Sequence, residues 1–195
     1  MTSRRVFVSC VFASALSFAI LPGAGQPANA LTAPEGYVQN VAGKIVSTIN
    51  SGGSATAFQG LVSKYADVRT IAKFSLGKYR KRLPANQAGE YYTLTKGHIA
   101  KLLKANTKSF RNAKLQIVSS QPKGKSTVIV RSKVVYAGGG SLPVNWRVIK
   151  RGGGYKIFDV TVKGVSMAMT LRSSFTSHIS KNGGKVSALI AHLRN

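Results

Sequence analysis

Acidic residues are nearly missing from this 195-residue chain, which carries four of them, Glu35, Asp67, Glu90 and Asp159, against 29 lysines and arginines. Carboxylates so few and so scattered do not make a carboxylate dyad. Cysteine is limited to Cys10, inside an N-terminal stretch that reads as removable. The rest of the chain therefore has no disulfide framework, thiolate metal site or cysteine nucleophile, and its stability must come from a packed core. The three histidines, His98, His178 and His192, fall in different helical segments with no zinc-ligand spacing between any pair, so no metal site is expected. Beyond residue 30 no apolar run is long enough to cross a bilayer, and the mature chain reads as soluble. A Gly-x-Ser-x-Gly elbow is also missing, so Ser166, in Lys163-Gly164-Val165-Ser166, reads as a helix N-cap and not as a nucleophile.

What is present at the N-terminus is an export signal. Arg4 and Arg5 precede an apolar stretch from Val6 to Leu21, too short and too weakly flanked for a membrane span, and Pro22, Gly23 and Ala28-Asn29-Ala30 follow it. Cleavage is expected after Ala30. The opening Ser3-Arg4-Arg5-Val6-Phe7-Val8 fits a twin-arginine signal as well as a general secretory one, and Phe7-Val8-Ser9 ahead of Cys10 is a poor lipoprotein box. Loss of Arg4 and Arg5 with the signal leaves 27 basic residues against four acids. Such charge ordinarily points to nucleic acid, but export removes that partner and leaves anionic lipid headgroups as the abundant polyanion. Residues 31–195 suffice for one domain, burying roughly 70% of the surface of the unfolded chain.

Within that domain a helical first half precedes a strand-rich second half. Pro34 suits a first helical turn, and Val38, Val41, Ile45 and Ile49 recur at helical spacing until Gly52-Gly53. Ser54 caps a second helix with Phe58, Leu61, Val62 and Tyr65, and Asp67 caps a third with Val68, Ile71, Ala72 and Leu76. From Pro84 to Phe110 runs the longest periodic segment, with Tyr92, Thr95, Ile99, Leu102, Asn106 and Phe110 on one stripe, weakened by Gly97. The period then changes to two. Four strands are expected at Lys114–Ser120, Ser126–Tyr136, Leu142–Lys150 and Tyr155–Lys163, joined by glycine-rich hairpin turns into an antiparallel meander. In the fourth strand the alternation sets Phe158, Val160 and Val162 against Ile157 and Thr161. Two helices close the chain, Ser166 to about Ser180 and Lys185 to Arg194.

The glycine-rich turns lack the strand-to-helix context of a phosphate-binding loop. Asp159 is the unusual acid. It lies in an otherwise apolar strand, where an unpaired carboxylate is costly, so it is expected to pair with a base such as Arg172 or to cap backbone amides; a catalytic acid or base is the alternative.

The run GYKIFDVTVKGVSMAMTLRSSF, from Gly154 to Phe175, resembles the C-terminal signature of the MlaC, or toluene-tolerance, family of periplasmic phospholipid-binding proteins. Tyr155, Asp159, Gly164, Val165, Ser166, Arg172 and Phe175 match its positions. Leu76-Gly77-Lys78-Tyr79 resembles the family's Leu-Gly-x-aromatic, and the aromatic helix from Tyr91 to Phe110 agrees in order. Two departures are Lys163, where an acid is common, and Tyr155 in place of Trp. The hopanoid-associated HpnM branch of the same family stays open beside the phospholipid carriers.

The resemblance implies an α+β fold, a helical N-terminal half on a twisted four-stranded antiparallel sheet (an NTF2-like cone) with two C-terminal helices, enclosing an apolar pocket. It implies a lipid carrier without chemistry or cofactor, whose partners are phospholipid, an inner-membrane MCE-type ABC transporter complex, an outer-membrane lipoprotein complex and, transiently, the anionic membrane surface. The expected pocket wall is Phe74, Tyr79, Tyr92, Ile99, Trp146, Phe158, Val165, Met167 and Phe175, large apolar residues on faces that should converge. An isomerase-type enzyme on a related cone is the reading from another class.

Overall fold

The first three helices each begin where a side chain accepts a backbone amide. In the computed structural model, which describes residues 30–105 and 107–195, α1 (Ala33–Asn50) opens with Pro34 in its first turn and Glu35 accepting the Thr32 N–H at 2.8 Å. Most of the stretch that reads as an export signal, residues 1–29, and Asn106 lie outside the described residues. Ser54 Oγ accepts the Ala57 N–H at 3.1 Å at the head of α2 (Ala55–Tyr65), and Asp67 Oδ1 accepts the Thr70 N–H at 3.0 Å at the head of α3 (Val68–Ser75).

The chain then tightens into a 3-10 turn, Gly77–Arg82. Gly77 is required at its start. Its φ of +52° is left-handed, and a Cβ there would stand 3.0 Å from Thr176 Cγ2 and 3.1 Å from Arg172 Nε.

The long helix α4 (Ala88–Ala105) is shorter than its sequence period suggests, and its buried stripe is rotated. It ends at Ala105, Phe110 belongs to a separate turn, Thr107–Phe110, and Leu102 is half exposed while Tyr91, Thr95 and Ala100 are buried. The reason is the approach of α2. Ala100 makes that contact, packing with Phe58 and Val62.

The sheet is a meander of β1 (Lys114–Pro122), β2 (Thr127–Val135), β3 (Ser141–Arg151) and β4 (Gly154–Val162), and a fifth strand corrects the expected four. Lys163 and Gly164, with φ of 49° and 82°, make a two-residue turn of both-positive type, so that β5 (Val165–Ser166) folds back on β4, pairing Val165 with Val162. All neighbouring strands are antiparallel in the order β1-β2-β3-β4-β5. At the other end of β4, Ala66 bridges to Ile157 and the Asp67 N–H donates to the Ile157 carbonyl at 2.9 Å, so the α2–α3 junction covers that stretch of edge.

A register shift in β4 overturns the simple alternation expected there. Asp159 stands opposite Arg147, but Val148 pairs with Ile157, leaving Phe158 as the extra residue of a bulge. Ile157 therefore joins Val160 and Val162 on the sheet core, while Phe158 turns to the helices.

The helices α5 (Met167–Lys181) and α6 (Val186–Arg194) complete a unit running from Leu31 to Asn195. Its interior is divided into three apolar clusters. One joins α3, α4, α5 and α6 through Leu76, Tyr91, Leu171, Phe175 and Leu189; a second joins α1 to the sheet through Val38, Val130, Val144 and Trp146; the third lies under α2 through Ile49, Phe58, Val62 and Ala100. Partly buried Ala66 and Ile99 touch both the first and the third, and Ile45 and Phe110 both the second and the third.

Candidate functional site

The bulge in β4 builds the central feature of the site, a pair of aromatic rings flanked by two cations. The Phe158 ring meets Phe74 of α3 edge to face at 5.4 Å between centroids, the Arg172 guanidinium of α5 lies 5.0 Å over Phe74, and the Arg147 guanidinium of β3 lies 5.7 Å over Phe158. Arg147 Nε is buried with no hydrogen-bond partner among the described residues. Four elements are thus tied through two rings and two guanidinium groups at the border between sheet and helices.

Asp159, next to the bulge, resolves between the two structural roles expected of it. Its Oδ2 accepts the Ser166 hydroxyl at 2.6 Å and its Oδ1 accepts the Ala168 N–H at 2.9 Å, while Ser166 Oγ itself accepts the Met169 N–H at 3.1 Å. A carboxylate at the head of α5 meets the positive end of the helix and fixes the turn through β5. Arg172 is engaged with Phe74 instead. With both oxygens bonded at the head of α5, Asp159 joins β4 to that helix.

The residues expected to wall a pocket separate into three places. Tyr79 and Phe175 are buried in the helical cluster, and Tyr92, Ile99 and Phe158 pack partly buried against it, with Phe74 reached through Phe158. Trp146 lies in the other core, on the sheet, where its indole N–H donates to Ser132 Oγ at 3.0 Å. Val165 and Met167 are on the surface, 54% and 44% exposed, beside an equally exposed Met169. Six of the nine thus lie in or against one cluster, one belongs to another, and two make an apolar rim where β5 turns into α5.

Open space lies elsewhere. A cleft of about 500 Å³ sits between the α2–α3 junction, α4 and the β3–β4 turn, lined by Ala66, Val68 and Tyr92 at its apolar part and by Arg69, Lys96, Arg151 and Lys156. Its one acid, Asp67, is raised by burial, but hydrogen bonds from Arg151 and Thr70 outweigh that and hold the carboxyl below its ordinary value. A second cleft, of about 410 Å³, is lined by Lys78, Tyr79, Arg82, Gly183 and Gly184, with both cations near the face of the Tyr79 ring. Sequence reading missed the first cleft because its cations come from four elements that only the tertiary fold brings together. Among the described residues no group of three histidine, cysteine, aspartate or glutamate side chains is placed to hold a metal, and no helix is long and apolar enough to cross a membrane.

Residues 40–195 match the family model described as MlaC protein. The fold is similar to that of the phospholipid-binding protein from Ralstonia solanacearum, solved in complex with a phospholipid, with a TM-score of 0.71 and 21% sequence identity over 82% of this chain and 93% of that one. No curated protein matches the chain.

Proposed function

This chain belongs to the MlaC family, and from that premise we propose that it is an exported carrier that takes the acyl chains of a phospholipid into its interior and moves lipid between membranes. The observation that carries this reading is the divided interior. A single well-locked core resists insertion, whereas three clusters meeting at partly buried Ala66, Ile99, Ile45 and Phe110 leave seams that an acyl chain can part and refill. The border along β4, with Phe158 turned out by its bulge, is one such seam, and the exposed Val165, Met167 and Met169 give it an apolar lip.

The energetics require such a shelter. Each acyl methylene left in water costs about 0.8 kcal/mol, so a two-chain lipid does not cross an aqueous compartment unaided. Affinity comes from apolar contact, and the excess of basic residues brings the carrier to anionic membrane surfaces and raises the rate of encounter. On this reading the export signal ending at about Ala30 delivers the chain to the periplasm. There it exchanges cargo with an inner-membrane MCE-type ABC transporter complex and an outer-membrane lipoprotein complex, contributing to outer-membrane lipid asymmetry.

The test is transfer. Mature protein is added to donor vesicles carrying a fluorescent phosphatidylglycerol and to unlabelled acceptors, and acceptor fluorescence should rise in proportion to protein concentration. Transfer no faster than the spontaneous rate at any protein concentration would count against the carrier reading.

A further inference from the structure

The cleft between α3, α4 and the β3–β4 turn has a chemistry that apolar cargo does not explain. Four cations converge on it from four elements: Arg69 on α3, Lys96 on α4, Arg151 at the end of β3 and Lys156 on β4. One carboxylate answers them. Asp67 pairs with Arg151 at 2.9 Å, and among the described residues Arg69, Lys96 and Lys156 form no ion pair.

Lys96 and Lys156 are partly buried, which raises the cost of leaving their charges unanswered. Lys156 Nζ donates to the Lys64 carbonyl, which holds the ammonium in place and leaves further N–H groups free. The Arg69 guanidinium lies 5.6 Å over the Tyr92 ring, which orients it without consuming its charge. Arg69 and Lys156 are thus cations held in position by neutral partners, an arrangement that suits an incoming anion.

The floor of the cleft gives that anion its class. Ala66 and Tyr92 pack against the helical cluster, and Ala66 and Val68 against the cluster under α2, so the cleft opens above the seam between two apolar regions. A volume of about 500 Å³ falls within the roughly 300–1,000 Å³ of small-ligand sites, enough for a polar headgroup. We infer that this cleft is a phosphate site that holds the headgroup phosphodiester of a lipid whose tails enter the seam beneath, with Lys96 and Lys156 as its principal donors. The inference rests on the carrier reading. A free phosphate ion offers the same oxygen acceptors, and the experiment separates the two sources.

Lipid-stripped mature protein is offered an equimolar mixture of phosphatidylglycerol and diacylglycerol with identical acyl chains, and the bound masses are read by native mass spectrometry. The K96Q/K156Q variant is treated alike, with K96R/K156R as the charge-retaining control and far-UV circular dichroism and melting to confirm the fold. The wild type should favour the phosphatidyl lipid by about tenfold, the equivalent of one good charge-assisted contact, and the glutamine variant should take both lipids about equally while the arginine variant keeps the preference. In a second arm, inorganic phosphate is titrated on lipid-free protein and followed by 31P line broadening. Broadening lost in the glutamine variant with lipid preference unchanged would assign the site to free phosphate and overturn the headgroup. Unchanged preference and unchanged broadening would overturn the phosphate site itself. If the wild type takes neither lipid, the carrier reading falls, and the phosphate arm still decides the cleft.

Discussion

Ser132 carries more of the sheet core than its size suggests. Its hydroxyl donates to the Val144 carbonyl at 2.8 Å and accepts the Trp146 indole N–H at 3.0 Å, all within a region where Ser132 is 3% and Trp146 6% exposed. Ser132→Ala leaves the indole donor unsatisfied in the interior and should lower stability by about 1–3 kcal/mol in denaturant unfolding; a loss below a few tenths would show that the bond is dispensable. His98 is a second such residue. Burial lowers its pKa from 6.5, and the charges of Lys101 and His192 add to the effect, while its ring stands 5.6 Å from Phe175. A histidine with a depressed folded pKa takes its proton more readily in the unfolded chain. Stability is then intact above the unfolded value and lost as pH falls through the folded one. Melting temperature should drop as pH falls below about 7, and His98→Gln should flatten that drop; an identical slope in the variant would refute the assignment.

At the scale of elements, Gly97 shows where sequence propensity and packing diverge. A glycine inside α4 weakens the helix, yet a Cβ there would meet Gln59 at 3.7 Å, an ordinary contact, so the α2–α4 approach does not require it. Gly97→Ala should raise stability by about 0.5–1 kcal/mol in the same unfolding experiment; destabilisation would mean that α2 and α4 pack more tightly than this contact indicates. The caps at Ser54, Asp67 and Ser166 were legible in the sequence because a cap is a relation over three residues. The bulge at Phe158 was not, because it is a mismatch in length between β3 and β4 and neither strand reveals it alone. Likewise Leu102 sits on the expected stripe and still faces outward, since the neighbouring helix selected the smaller Ala100. The fifth strand, two residues long, is too short to carry a period.

For the whole molecule, the near absence of acids acquires a structural meaning. Glu35 accepts at the head of α1, Asp67 joins α3 to Arg151, Glu90 pairs with Arg194 at 2.7 Å, and Asp159 closes the turn into α5. Each of the four therefore fixes a helix end or ties distant elements, and little negative charge is left to offset the basic surface. On the proposed reading the excess charge draws the chain toward anionic membranes, whereas the apolar seams retain cargo. The fold class and the residues of the β4–α5 signature could be read from the chain because they are contiguous. The distribution of Tyr79, Trp146 and Met167 among a core, a second core and a surface rim could not, since each is equally apolar and only the tertiary arrangement separates them.

Retention of lipid in salt tests the carrier claim most directly, because it separates the seam from the charge. The mature protein, purified from a Gram-negative host and washed at about 1 M salt, where screening acts within about 3 Å, is to be examined by native mass spectrometry. A bound mass matching a two-chain phospholipid that survives the wash is the predicted result; repeated preparations that bind lipid at low salt and emerge empty at high salt would contradict it and leave a surface held to membranes by charge alone.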